Sequence, residues 1–140
     1  MITQMANVTI YVLDLDRAIS FYTDKLSFEL FADIRIAGGM RWAALHASGA
    51  PSFQLLMIPV EKSAFLNARQ VRQLRGLIEQ HIFSYGVFRC RNLLATCAEL
   101  RSRGVAFLME PGQGFLGQYE AAFLDDSGNW FRLTQDEGAV

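Results

Sequence analysis

The stretch Asn7-Val-Thr-Ile-Tyr-Val12, followed by Leu15-Asp-Arg-Ala-Ile-Ser-Phe-Tyr22, decides the fold. Its first half alternates polar and apolar side chains, which predicts a strand with two different faces. Its second half places apolar residues at helical spacing, and an aspartate in front can cap that helix. Three further strand-like runs follow at 28–36, 40–46 and 52–58, separated by glycine-containing turns. The order predicted for this part of the chain is therefore β-α-β-β-β.

A second copy of this unit follows 78 residues later. Tyr85-Gly-Val-Phe-Arg-Cys90 leads into Leu93-Leu-Ala-Thr-Cys-Ala-Glu-Leu100, and subtracting 78 places Tyr85 on Asn7. The same shift places Phe131-Arg132-Leu133 on Phe53-Gln54-Leu55. Self-similarity at a fixed offset marks a duplicated supersecondary unit. The sequence therefore predicts an α+β fold built from two βαβββ modules in tandem.

The modules are expected at residues 1–60 and 83–136. Between them, residues 61–82 mix apolar side chains with Arg and Gln and predict one amphipathic connector helix. Residues 137–140 are expected to form a tail. The turns of the second module are expected at 111–114 and 125–129, where Gly, Pro, Asp and Asn cluster.

Composition excludes several classes of protein. The 140 residues carry a net charge of -1 and no basic stripe, which argues against a nucleic-acid partner. No run approaches the roughly 18 apolar residues of a membrane span, and the N-terminus does not resemble a secretion signal. Cys90 and Cys97 fit no metal or redox spacing and are expected to be free thiols. A reducing cytoplasm is the expected compartment.

Several motifs are similar to those of a known superfamily. Val12-Leu-Asp-Leu-Asp-Arg-Ala-Ile-Ser-Phe-Tyr22 with Lys25-Leu-Ser-Phe28 resembles the first module of the vicinal oxygen chelate superfamily. That group includes glyoxalase I, bleomycin resistance proteins, extradiol dioxygenases and fosfomycin resistance enzymes. Leu100-Arg-Ser-Arg-Gly-Val105 and Phe123-Leu-Asp-Asp-Ser-Gly-Asn129 resemble the helix end and closing turn of its second module. The resemblance implies curved mixed sheets that form a cup, helices on the outer face, and a homodimer.

Metal-binding relatives place one ligand on each of four strands, and the resemblance carries these positions onto Asn7, Gln54, Tyr85 and Arg132. None has the usual side chain. Divalent first-row ions need imidazole, thiolate or carboxylate donors, whereas Asn and Gln offer neutral carbonyls and Arg has no lone pair to give. His46 and His81 fall outside these positions and are expected at the surface or in turns. We therefore expect no metal and no other cofactor.

The same alternation predicts what lines the cup. If Tyr85 faces it, so do Val87 and Arg89; if Arg132 faces it, so do Trp130 and Thr134. The predicted ligand-binding residues are Asn7, Thr9, Tyr11, Gln54, Tyr85, Arg89, Trp130 and Arg132. Arg presents a fork suited to carboxylate or phosphate, so an anionic or aromatic organic ligand is expected. Alternatively, Arg132 pairs with an acid such as Glu120 or Glu110 and is structural.

Three functions remain open on this basis. The first is metal-free binding of a small organic ligand, as in the bleomycin resistance proteins that the chain resembles. The second is a divergent lyase or dioxygenase, or a metal-free catalyst that uses Tyr85 or Glu120 as acid or base. The third is a dimeric interaction module whose cup is filled by its own side chains. Catalytic residues cannot be named, because no Ser or Cys has an adjacent His.

Overall fold

The computed structural model describes residues 1–36 and 38–137. The first module consists of β1 (Asn7–Val12), α1 (Leu15–Ser20), β2 (Phe28–Arg35), β3 (Arg41–Ala47) and β4 (Gln54–Pro59), with a π-helical turn at Phe21–Lys25 continuing α1. The connector contains α2 (Ala68–Glu79). The second module consists of β5 (Ser84–Cys90), α3 (Leu93–Ser102), β6 (Phe107–Gln113), β7 (Tyr119–Leu124) and β8 (Trp130–Gln135). The predicted order of elements is confirmed in both modules.

Each module forms one mixed four-stranded sheet. The strand orders are β1-β4-β3-β2 and β5-β8-β7-β6, so the two sheets have the same topology. In each sheet the first and last strands run parallel, and the remaining pairs are antiparallel. The α+β class and the tandem duplication are therefore confirmed.

The repeat extends to the helix caps. The side chain of Asp14 accepts a hydrogen bond from the backbone N–H of Arg17 at 2.9 Å. Asn92, 78 residues later, accepts one from Ala95 N–H at 2.9 Å. Both caps satisfy a backbone donor that the first helical turn leaves without a partner.

The connector helix is shorter than the sequence analysis predicted. Helix α2 begins after Asn67, which forms a capping box with Gln70, and residues 61–67 lie outside the helix. The predicted loop at 111–114 also differs, because strand β6 continues to Gln113. The register irregularity between Met109 and Gly112 accommodates Pro111, which has no N–H to donate to a ladder. The turn after β6 therefore begins at Gly114.

One core joins the two modules. Strand alternation directs Ile10 and Val12 of β1 into a buried cluster that includes residues of α1. Phe131 and Leu133 of β8 point into the same cluster. The ring of Tyr22 on the π-helical turn packs edge-on against Phe131 of the second module. The modules of a single chain thus pack against each other, and the opposite face of each sheet is left for other contacts.

The closing turn, residues 125–129, fixes β1 against the second module. The Ser127 hydroxyl accepts a hydrogen bond from the Leu13 N–H at 2.9 Å, and Asn129 Nδ2 donates to the Tyr11 carbonyl at 2.7 Å. The Tyr22 hydroxyl donates to Asp125 Oδ2 at 2.8 Å. Because β1 carries three of the predicted site residues, Asn7, Thr9 and Tyr11, this turn helps to position them.

The predicted boundaries between the first module, the connector, the second module and the tail, after residues 60, 82 and 136, stay predictions. Residues 138–140 of the expected tail lie outside the described part of the chain. Within the described ranges, no helix has both the length and the apolar character needed to cross a membrane.

Candidate functional site

An apolar pocket lies on the face of the first sheet that is turned away from the core. Its volume is about 560 Å³. Its walls come from β1, β3 and β4, from the two ends of the β2–β3 connection, and from the segment that precedes α2. It is lined by Thr9, Tyr11, Ile36, Met40, Trp42, Leu56, Ile58, Ser63, Phe65 and Leu66. None of these described lining residues is charged.

Strand register places the pocket side chains in two rows across the sheet. Thr9 lies opposite Leu56, and Tyr11 lies opposite Ile58 in the parallel pairing of β1 with β4. Their neighbours in sequence, such as Ile10 and Met57, point into the core. Alternation therefore separates the pocket from the core on the same two strands.

The segment 63–66 forms the remaining wall. The Ser63 hydroxyl accepts hydrogen bonds from the N–H groups of Phe65 at 3.1 Å and Leu66 at 3.3 Å, and Ser63 N–H donates to the Leu66 carbonyl at 3.0 Å. This local turn holds Phe65 and Leu66 beside the pocket, and Phe65 remains largely exposed. The wall depends on residues that the sequence analysis had assigned to the connector helix.

A row of polar side chains crosses the same face of the sheet one row beyond the pocket. Asn7 pairs with Gln54, and Glu29 pairs with His46. Leu45 pairs with Leu55, so the next step of that antiparallel register sets His46 beside Gln54. These four residues, one from each strand, are called the polar row below. They lie next to the Thr9 and Leu56 row, about 6.6 Å along the strands.

The expectation that His46 lies at the surface is wrong. The residue is 8% exposed and sits in the middle of β3 rather than in a loop. Its Nδ1 lies 2.9 Å from the Ala47 carbonyl, and its Nε2 lies 3.7 Å from Glu29 Oε2. The ring of Phe31 packs against the His46 imidazole, with 6.4 Å between the two ring centroids. His81 is exposed and follows α2 in a turn with φ of 62°, as expected.

In the second sheet, Tyr85 and Arg132 do not lie on one face. Register shifts between Ser84 and Val87, so Tyr85 packs against Phe131 and the core, whereas Val87 pairs with Arg132 on the opposite face. The expectation that Tyr85, Val87 and Arg89 share a face therefore fails at this irregularity. Burial raises the pKa of the Tyr85 phenol, so the group stays protonated.

Arg132 has a protein partner, as the structural alternative predicted. Its Nη1 lies 3.4 Å from Glu120 Oε2, and the Glu120 side chain is 3% exposed against 34% for Arg132. Gly114 packs so closely on Glu120 that a Cβ there would overlap the carboxylate. A buried carboxylate needs a compensating charge or hydrogen bonds. The arginine therefore compensates Glu120, and one third of its side chain remains accessible.

The other predicted residues of the second sheet lie apart from the apolar pocket. Arg89 borders a separate polar depression of about 750 Å³ with Tyr119 and Thr134. Trp130 donates its indole N–H to the His81 carbonyl at 3.0 Å. Of the eight predicted ligand-binding residues, only Thr9 and Tyr11 line the apolar pocket, and Asn7 and Gln54 lie in the adjacent polar row.

The four positions that hold a metal in relatives do not form a metal site in this chain, because of their side-chain types and their placement. Asn7 and Gln54 are neighbours, but Tyr85 and Arg132 lie on opposite faces of the second sheet. Arg132 is a permanent cation that would repel a metal ion, and the protonated phenol of Tyr85 is a poor metal ligand. Across the described ranges, no three His, Cys, Asp or Glu side chains cluster as metal ligands would. The residues present do not fit the metal.

Sequence reasoning missed the main pocket residues. Trp42, Leu56 and Ile58 follow from alternation on β3 and β4, which was applied only to the other strands. The Asn67 to Gln70 spacing is a capping-box signal that would have excluded Phe65 and Leu66 from the helix.

Comparisons with known proteins identify the family of the chain and agree with its fold. Residues 4–133 match the Glyoxalase/Bleomycin resistance protein/Dioxygenase superfamily. The protein YetH of Bacillus subtilis (strain 168) is 30% identical over 135 residues, covering 96% of this chain and 100% of YetH. The crystal structure of UcmS2 is 37% identical with a TM-score of 0.87, covering 95% of this chain and 98% of that one.

A further solved structure has a described role. TnmS3, an antibiotic binding protein from Streptomyces sp. CB03234, is 25% identical with a TM-score of 0.72, and 96% of each chain is covered. A family match over nearly the whole length, together with the shared architecture, settles the assignment. The chain belongs to the Glyoxalase/Bleomycin resistance protein/Dioxygenase superfamily.

Proposed function

We propose that this protein binds a small organic molecule with an aromatic or apolar body in the pocket of the first module, and that it holds the molecule without a metal. The observation that carries the proposal is the pocket itself. A volume of about 560 Å³ lies within the range of small-molecule sites. Its apolar walls and few hydroxyl groups match the usual composition of such sites.

The antibiotic-binding relative supports the same class of function. TnmS3 shares the fold over 96% of both chains and is described as an antibiotic binding protein. We extend to this chain only the capacity to bind a compact organic molecule. The pocket residues, rather than the fold, give the proposal its chemical content.

The pocket favours an aromatic over an anionic ligand. Tyr11, Trp42 and Phe65 offer ring faces and edges to a bound ring. Arg132, the predicted anion-binding residue, already compensates Glu120 and does not line the pocket. Of the two ligand classes expected from the sequence, this proposal therefore keeps the aromatic ligand and gives up the anionic one.

The alternative functions find less support. Neither Tyr85 nor Glu120, the residues considered as acid or base, lines the apolar pocket. A purely structural interaction module was expected to fill its cup with its own side chains, whereas this face retains a cavity of about 560 Å³. Ligand binding accounts for both observations.

A fluorescent aromatic probe tests the proposal. N-phenylnaphthylamine is neutral and brightens on entering an apolar site, so we expect saturable binding with one site per chain. Leu56→Trp adds bulk to the pocket floor and should weaken binding by at least about tenfold, or 1.4 kcal/mol. Leu94→Trp makes the same change on exposed α3, away from the pocket, and should leave binding unchanged. Equal binding by both variants would contradict the proposed site.

The metal-free part of the proposal needs its own measurement. We expect elemental analysis of protein purified from its host to show iron, zinc, nickel and manganese well below one ion per chain. Stoichiometric metal would instead support a lyase or dioxygenase. Both cysteines are free thiols, which fits the proposed cytoplasmic location.

A further inference from the structure

The polar row ends in two side chains, His46 and Glu29, whose polar atoms face each other without a direct hydrogen bond. His46 Nδ1 lies 2.9 Å from the Ala47 carbonyl, which can only accept, so Nδ1 carries the ring proton. In the neutral imidazole, Nε2 is then an acceptor. It faces Glu29 Oε2 at 3.7 Å, which is longer than a direct hydrogen bond.

The rest of the row adds acceptors but no cation. Gln54 and Asn7 present amide groups whose carbonyl oxygens can also accept. The Ser48 hydroxyl donates to the other Glu29 oxygen at 3.2 Å, which leaves Oε2 toward the imidazole. Glu29 remains more than half exposed, so a ligand can approach it from solvent. The Glu29 carboxylate is thus an accessible acceptor beside a pocket whose described lining residues carry no charge.

We propose that this row recognises an amino group attached to the aromatic body held in the pocket, with His46 Nε2 and the Glu29 carboxylate each accepting one of its N–H groups. An amine or ammonium supplies at least two donors on one atom, whereas a hydroxyl supplies one. The row begins about 6.6 Å from the Thr9 and Leu56 row, which is within reach of a substituent one carbon from a bicyclic ring.

This inference deepens the proposed function and rests on it, because the aromatic body must occupy the apolar pocket. It also replaces the anionic ligand expected from Arg132. The carboxylate of Glu29 attracts a cation and repels a carboxylate.

Three probes with one ring system separate the possibilities. Naphthylmethylamine, naphthylmethanol and naphthoic acid would each compete with N-phenylnaphthylamine for the pocket. We expect the amine to bind at least about tenfold more tightly than the alcohol, and the acid to bind most weakly. Equal affinities for amine and alcohol, or preference for the acid, would overturn the inference while leaving the pocket proposal intact.

Matched variants assign the preference to the row. Glu29→Gln and His46→Phe should each reduce the preference for the amine by about tenfold, through weaker binding of the amine rather than tighter binding of the alcohol. Glu79→Gln, the same chemical change on exposed α2, should change neither. Retention of the amine preference in Glu29→Gln would refute the assignment. The inference also fails if N-phenylnaphthylamine binds in the apolar pocket but none of the three probes displaces it.

A spectroscopic readout covers the case in which His46→Phe does not fold. In the wild-type protein, nitrogen NMR of the His46 ring should show a protonated Nδ1 and a lone pair on Nε2. Adding naphthylmethylamine should shift the Nε2 resonance, and naphthylmethanol should shift it less. An Nε2 resonance that does not respond to the amine would contradict the proposed contact.

Discussion

Asp125 accepts hydrogen bonds from five donors, and this explains how a carboxylate is tolerated at the junction of the modules. Three come from backbone N–H groups of its own turn at 2.9–3.0 Å, and two come from the side chains of Tyr22 and Asn129. Burial nevertheless raises the pKa of Asp125, because the lost hydration outweighs these bonds. Removing any one donor should therefore be costly.

The Tyr22 hydroxyl is the donor that can be removed with least disturbance. Tyr22→Phe keeps the buried ring but leaves Asp125 Oδ2 without its 2.8 Å partner. A hydrogen bond to a charged group contributes about 1.5–3 kcal/mol, so we expect that loss in the free energy of unfolding, measured by urea denaturation. Tyr119→Phe removes an exposed hydroxyl and serves as the control. A loss no larger than that of the control would contradict the role of this bond.

Asp126 should make the protein less stable at higher pH. Burial, and secondly the charge of Asp125, raises its pKa to about 7, and its Oδ1 has no hydrogen-bond partner among the described residues. The folded protein therefore holds a proton that the unfolded chain releases near its usual value of about 3.9. Stability contributed by this group falls as pH rises from about 4 to about 7.

Replacing Asp126 by Asn removes this titration. We expect the melting temperature of Asp126→Asn to exceed that of the wild type at about pH 8, with the difference shrinking at about pH 5. Asp24→Asn, an exposed acid on the π-helical turn, provides the comparison. A difference between Asp126→Asn and wild type that does not change with pH would show that Asp126 does not titrate in this range.

At the scale of elements, local patterns predicted the order of strands and helices but not their irregularities. Alternation on β1 and the caps at Asp14 and Asn92 are properties of short segments, so the sequence contains them directly. The shift in β5 near Tyr85 is not local, because it depends on how that strand pairs with β8. The single residue of shift moved Tyr85 to the face opposite Arg132, and no periodicity indicated it.

The closing turn and α2 depend on each other through Gly128. A Cβ at Gly128 would lie 2.6 Å from the Ile78 carbonyl, and the residue has φ of 110°. Gly49 also has a positive φ, of 75°, but nothing lies within 4 Å of its Cβ position. We expect Gly128→Ala to cost at least about 1 kcal/mol more than Gly49→Ala in urea unfolding, because it adds a steric clash to backbone strain. Equal costs would show that α2 moves away without penalty.

At the scale of the whole molecule, the sequence predicted the two-module architecture better than it predicted which residues line the outward faces of the sheets. Thr9 and Tyr11 were found because β1 alternates clearly. His46 and Glu29 join the site only because β2 and β3 pair in a particular register. For Arg132 the sequence left a ligand and an acid such as Glu120 or Glu110 open as partners, and the pairing of β7 with β8 brings it to Glu120. The prediction of site residues is therefore limited by the pairing between strands, which the sequence does not specify, rather than by the residue types.

The surface of the single chain indicates a second copy. Phe115 and Leu116, at the turn after β6, are 103% and 84% exposed, and Phe65 beside the pocket is 71% exposed. Contiguous exposed apolar surface marks association sites, Phe115 and Leu116 are adjacent in the chain, and two-fold dimers are the commonest soluble assembly. We therefore predict a homodimer, with a mass by sedimentation at micromolar concentration of twice the 15.7 kDa of one chain.

Charge substitutions test whether the turn after β6 belongs to that interface. Leu116→Glu would bury a carboxylate without a partner if the turn is covered in the dimer, so it should shift the equilibrium toward monomer by at least about tenfold. Leu94→Glu, on the exposed side of α3, should leave the dimer intact. A wild-type protein that sediments as a monomer would exclude the dimer. A dimer that tolerates Leu116→Glu would place the interface elsewhere, and the exposed Phe65 edge of the pocket would then be the next surface to test.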